Sequence, residues 1–121
     1  MRHVVKWPDG ASVGIIAQRR GYIVRSSSEY IPIGVEPIIH VLVTPSGDMV
    51  ILGDFVRFEA YSRSGPSWRS AAMSWDGFKS LEVTDDAITG LSWDAPGNRW
   101  VAFALNLSTG EHIGGAAPPL P

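Results

Sequence analysis

The residues with chemistry to offer in this chain are five tryptophans, three histidines and a few neighbouring carboxylates. The tryptophans stand at positions 7, 68, 75, 93 and 100, and the last four fall within 33 residues, beside Arg69 and Arg99. Tryptophan and arginine join a large apolar area to a polar handle, which is why both are over-represented among interface anchors. Trp68, Arg69, Trp75, Trp93, Arg99 and Trp100 are therefore the candidate binding residues. Core filling and hairpin capping account for tryptophans more simply, and strand parity helps to separate the two. Trp100 runs out of phase with Val101, Phe103 and Leu105, which points it to the outer face of its strand. Trp93 shares a parity with Leu91 and is expected in the core.

The remaining groups make no recognisable reaction centre. His3, His40 and His112 lie in three separate apolar runs with no short-range partner spacing, and His40 reads as a core histidine. Serines are plentiful, but no Gly-x-Ser-x-Gly elbow occurs, and Ser27, Ser28 and Glu29 read as loop residues. Asp85-Asp86 and the pair Asp94 and Asn98 sit in turns and lack the alternation of a calcium loop. No opposed acid pair of the kind used in glycoside hydrolysis can be picked out. With no cysteine there is no thiolate zinc site, disulfide framework or cysteine nucleophile. No metal or cofactor is expected.

Bulk properties exclude further classes. The 10 basic and 12 acidic residues leave a net charge of −2 with no basic stripe, so nucleic acid is not an expected partner. The start, MRHVVKWPDG, lacks the apolar core of a signal peptide, and no apolar run approaches the roughly 20 residues that span a bilayer. A cytoplasmic protein with no membrane partner is the expectation. At 121 residues the chain suits one domain, able to hide about two-thirds of its unfolded surface without disulfides or metal.

The elements that must position these residues are announced by punctuation. Thirteen glycines and nine prolines gather in clusters such as Pro8-Asp9-Gly10, Pro45-Ser46-Gly47-Asp48, Arg63-Ser64-Gly65-Pro66 and Pro96-Gly97-Asn98, and such clusters reverse the chain. Between them lie apolar runs of about five to eight residues, a strand length that leaves little room for helices. Val56, Phe58 and Ala60 alternate with Arg57 and Glu59, as in a half-buried strand. Residues 37–44, PIIHVLVT, are apolar on both parities and predict a central strand covered on both sides. Residues 67–75 are read as a strand, 26–36 as the longest loop. About ten or eleven strands result. The domain is assigned to residues 1–115 and a flexible Pro-rich tail to 116–121.

Ser-Trp-Asp occurs at 74–76 and again at 92–94, eighteen residues apart, too close for a blade-type repeat of about 40 residues. Trp100–Gly115, WVAFALNLSTGEHIGG, and Val56–Ser70, VRFEAYSRSGPSWRS, resemble strand-and-hairpin pieces of quinoprotein-type β-propeller blades. That likeness covers about a third of the chain and carries over no functional residue, since a propeller needs at least four blades. The last fifty or so residues, with Ser74-Trp75-Asp76-Gly77, Gly90 to Pro96, Trp100 to Phe103 and Thr109 to Glu111, are similar to small uncharacterised bacterial all-β proteins. The likeness implies no activity.

The expected architecture is an all-β antiparallel sandwich or partly closed barrel, with propeller-blade-like hairpins as a variant, because one long open sheet would leave a face and edges bare. The expected function is a non-enzymatic binding module whose partner is another protein, a second copy of the chain included. An immunity- or inhibitor-type role would suit a small bacterial protein. The alternatives are a carbohydrate- or small-ligand-binding domain using Trp68, Trp75 or Trp100 as a stacking platform, and an enzyme built on His40 or the Asp85-Asp86 turn.

Overall fold

Short apolar runs between glycine- and proline-bearing turns do form strands. The computed structural model describes residues 2–120, and among them lie twelve strands and no helix. They are β1 (Arg2–Lys6), β2 (Val13–Ala17), β3 (Arg20–Ser26), β4 (Glu29–Pro32), β5 (His40–Val43), β6 (Val50–Gly53), β7 (Phe58–Ser62), β8 (Gly65–Arg69), β9 (Phe78–Val83), β10 (Ala87–Asp94), β11 (Arg99–Asn106) and β12 (His112–Gly114). Consecutive strands pair antiparallel into three four-stranded meanders: β1 to β4, β5 to β8 and β9 to β12. The three sheets begin at Arg2, His40 and Phe78, a constant step of 38 residues. One supersecondary unit is thus used three times.

The units stack face on face, and the middle sheet is covered twice. Val50, Leu52 and Tyr61 on one of its faces cluster with Val5, Ile16, Ile33 and Ile38 from the first unit and its exit segment. Ile51, Phe58 and Ala60 on the other face cluster with Phe78, Ile88, Phe103 and Leu105 of the third. Equivalent turns of neighbouring units touch: the Ser46 amide donates to the Asp85 carboxylate at 2.9 Å, and the Arg19 guanidinium lies 5.9 Å from the Phe55 ring centroid. The units therefore follow one another in the same sense.

The architecture is all-β and sandwich-like, in three layers, and no sheet closes into a barrel. Several elements differ from expectation. Residues 37–44 supply β5, an edge strand with Val43 exposed, while the doubly covered strand is β6, buried along its whole length. The expected strand over 67–75 stops at Arg69, where β8 ends. Met73 and Ser74 continue as a buried connection to the third sheet. Within the expected loop lies β4, an edge strand whose residues are all exposed, with proline at its end, where an edge tolerates it. The repeated Ser-Trp-Asp is no structural period: the first copy lies in that connection and is tied to the second. Trp93 N–H donates to Ser74 Oγ at 3.0 Å, and Trp75 N–H to the Trp93 carbonyl at 2.9 Å. In the stretch read as a flexible tail, Ala116 and Pro118 are buried, and the Ala116 amide donates to the Met73 carbonyl at 2.9 Å. Pro121 of that stretch and Met1 lie outside the described residues. No helix among the described residues is long and apolar enough to cross a membrane.

The double coverage gives a measurable asymmetry. Ile51→Ala and Leu52→Ala should each cost about 2–5 kcal/mol in urea unfolding, as buried truncations do. Val43→Ala on the edge should cost under about 1 kcal/mol. A Val43 penalty equal to that of Leu52 would mean that β5 is enclosed after all.

Candidate functional site

Because the third sheet ends the stack, only one of its faces meets another sheet. The other is set by the pairing register. Lys79, Leu91 and Ala102 form one row across β9, β10 and β11, and Trp93 opposes Trp100. Thr89, Ala104 and Ile113 form another row across β10, β11 and β12. The two indole rings pack at 5.3 Å and 60°, and the Lys79 ammonium sits 4.4 Å from the Trp100 ring centroid, a cation–π distance. Ile113 is 82% exposed and Trp100 36%. Two exposed alanines make a shallow floor between the indole pair and Ile113. Trp93 is thus on this outer face and not in the core. Its parity partner Leu91 faces the same way, opposite to the fully buried Ile88 and Ser92.

The other sequence candidates go elsewhere. Arg99 closes the β10–β11 hairpin beside this face, its Nε 3.6 Å from Asp94 Oδ2. Trp75 is joined to Trp93 through its backbone. Trp68 is structural: its Nε1–H donates to the Leu107 carbonyl at 2.7 Å, bridging the second and third sheets. Gly110, at φ +76°, lets this ring in, since a Cβ there would lie 2.7 Å from Trp68 Cδ2. Arg69 opposes Glu59 across β7 and β8 and lines a cleft of about 300 Å³ with Glu36, Asp54 and Arg57, away from the indole pair. Lys79, Ala102, Ala104 and Ile113 were not among the candidates. The phase that pointed Trp100 outward holds for both alanines as well, so the signal was present.

His3, His40 and His112 sit in three different sheets, and no group of three or more metal-ligating side chains occurs among the described residues. Asp85, in the β9–β10 turn, accepts a hydrogen bond from the Ser46 amide of the neighbouring sheet. Tyr61 lines a second cleft with Trp7 and Arg63. Burial, with Glu59 adding to it, pushes its phenol up to about 12, so it stays protonated at neutral pH. Set against known proteins, the chain matches no family model, no curated protein and no solved structure.

Two measurements check these assignments. Trp68→Ala should cost at least about 3 kcal/mol, as large-to-small changes in packed sites do. Trp100→Ala should cost about 1 kcal/mol, the worth of an aromatic pair. Equal penalties in urea unfolding would contradict the division. For His40, which packs on Phe78 with centroids 6.2 Å apart, burial lowers the imidazole pKa below 6.5. The unfolded chain then binds the proton first, so stability should be full above pH 6.5 and fall as pH drops toward the folded-state value. His40→Gln should flatten that slope in thermal melts; an unchanged slope would place the titrating group elsewhere.

Proposed function

We propose that this chain is a non-enzymatic protein-binding module that docks a protein partner on the outer face of its third sheet. The observation that carries this reading is the Trp93–Trp100 pair, standing with Lys79 and Ile113 on a sheet face that no other sheet covers among the described residues. Contiguous apolar surface of this kind marks interaction sites, and tryptophan anchors beside small residues suit a packed interface. An inhibitor- or immunity-type role in a bacterial cytoplasm is the setting we assign; its support is the small, cysteine-free chain and the absence of any assembled reaction centre among the described residues. Sugar stacking on Trp100 is less well supported, because Lys79 already lies over that ring.

The test is affinity capture by wild type, Trp100→Ala and, as a control on a remote surface, Phe55→Ala. Loss of an interface anchor costs 2 kcal/mol or more, so Trp100→Ala should weaken retention of the partner at least about tenfold. Phe55→Ala should not weaken it. A partner retained equally by all three would rule out this face.

A further inference from the structure

A second sheet face is left bare at the opposite end of the stack. On the outer side of the first sheet, Val4, Ile15 and Tyr22 form one register row, and Lys6, Val13, Val24 and Tyr30 the next. Val4 is 70% exposed and Tyr30 64%. Tyr22 and Tyr30 meet edge-on at 5.8 Å beside a shallow depression lined by Ile15 and Val24. Arrays of repeats ordinarily end in polar outer faces, because nothing stacks on them. Both ends of this array instead carry exposed apolar side chains, set among Lys6 at one end and Lys79 and Glu82 at the other.

The internal repeat shows what each end is shaped to meet. Val13 and Ile15 are the first and third residues of β2, as Val50 and Leu52 are of β6. In the middle sheet those positions face the preceding sheet and are buried by it. At the other end, Ala104 opposes Thr89 as Ala60 opposes Ile51, and Ala102 opposes Leu91 as Phe58 opposes Gly53. In the middle sheet these positions face the following sheet. The first-sheet face is therefore of the kind that takes a preceding sheet, and the third-sheet face of the kind that takes a following one. The chain already makes that contact twice within itself.

We infer that a second copy of this chain covers both ends, head to tail, with the first-sheet face of each copy seated on the third-sheet face of the other. Radially repeated four-stranded sheets close with about four to eight members. With three sheets per copy, two copies give six and close, whereas three copies give nine. Closure matters, since a head-to-tail contact that fails to close grows into a fibre. The inference rests on the third-sheet face being a protein-docking surface, and it names the partner.

Light scattering coupled to size exclusion tests it on the full chain. Wild type should run at twice the 13.1 kDa chain mass. Ile15→Glu on the first-sheet face and Ala104→Lys on the third-sheet face should each run as monomers, with Tyr22→Glu and Ala102→Lys as second variants and circular dichroism melts to show that all are folded. Mixing Ile15→Glu with Ala104→Lys should restore the double mass, because one contact is then unaltered and the other sets glutamate against lysine. A monomeric wild type overturns the inference, as does an Ala104→Lys variant that stays dimeric or a ladder of species growing with concentration. If wild type is monomeric yet Trp100→Ala still loses a captured partner, self-assembly falls and the docking reading stands. If wild type is monomeric and capture is unaffected by Trp100→Ala, both fall.

Discussion

At the heart of the middle sheet, β6 has no solvent face, and the rest of the structure follows from that constraint. A strand covered on both sides must be apolar at every position, and β6 reads Val-Ile-Leu-Gly with all four residues buried. Its parity divides the core in two. Val50 and Leu52 close one cluster with Trp7, whose ring packs at 5.1 Å on Tyr61. Ile51 heads the other, where Phe58, Phe78 and Phe103 interlock at centroid separations of 4.4 to 6.1 Å. Gly53 is part of the same fit, because a Cβ there would stand 2.8 Å from the Phe58 ring.

The two flanking sheets each lend one face to this arrangement and keep the other. That asymmetry assigns the tryptophans more firmly than their local sequence does. Trp7 is buried among first-cluster residues, Trp68 spans two sheets through its indole hydrogen bond, and Trp75 lies in the connection that carries the chain between them. Trp93 and Trp100 stand on a face with no layer above it among the described residues. Residue type is shared by all five, and the layer on which each falls decides its work. An unpaired hydroxyl, Ser92 Oγ, is buried just beneath this pair among the described residues, on the opposite side of the same strand.

Much of the fold was legible from turn chemistry and alternation. The phase of Phe103 and Leu105 against Trp100 names the buried and outer faces of β11 correctly. The misses have physical causes. Residues 37–44 were apolar for two different reasons, since Ile38 fills the first cluster from outside any strand while Val43 is exposed at an edge. In β4 no residue is buried, so it had no hydrophobic period to betray it. The repeat was spelled in the turns, with Pro8-Asp9-Gly10 and Pro45-Ser46-Gly47 standing 37 residues apart, but the more conspicuous Ser-Trp-Asp pair carried a spacing that belongs to one connection and one strand. Of the six candidate binding residues, the structure brings Trp93, Arg99 and Trp100 to one end of the third sheet and sends Trp68 and Arg69 to other surroundings.

By itself the sequence determined where the chain turns, which stretches are extended and which side chains of a given strand share a face, because glycine and proline geometry and the two-residue pleat are local properties. Tertiary structure alone decided which of those faces is covered. Leu52 and Ile15 are each the apolar third residue of the second strand of their sheet, yet one is fully buried and the other is 37% exposed, since only the first has a sheet stacked against that side. Burial depends on a layer contributed from about forty residues away, and strand periodicity, which records parity, carries no information about that layer.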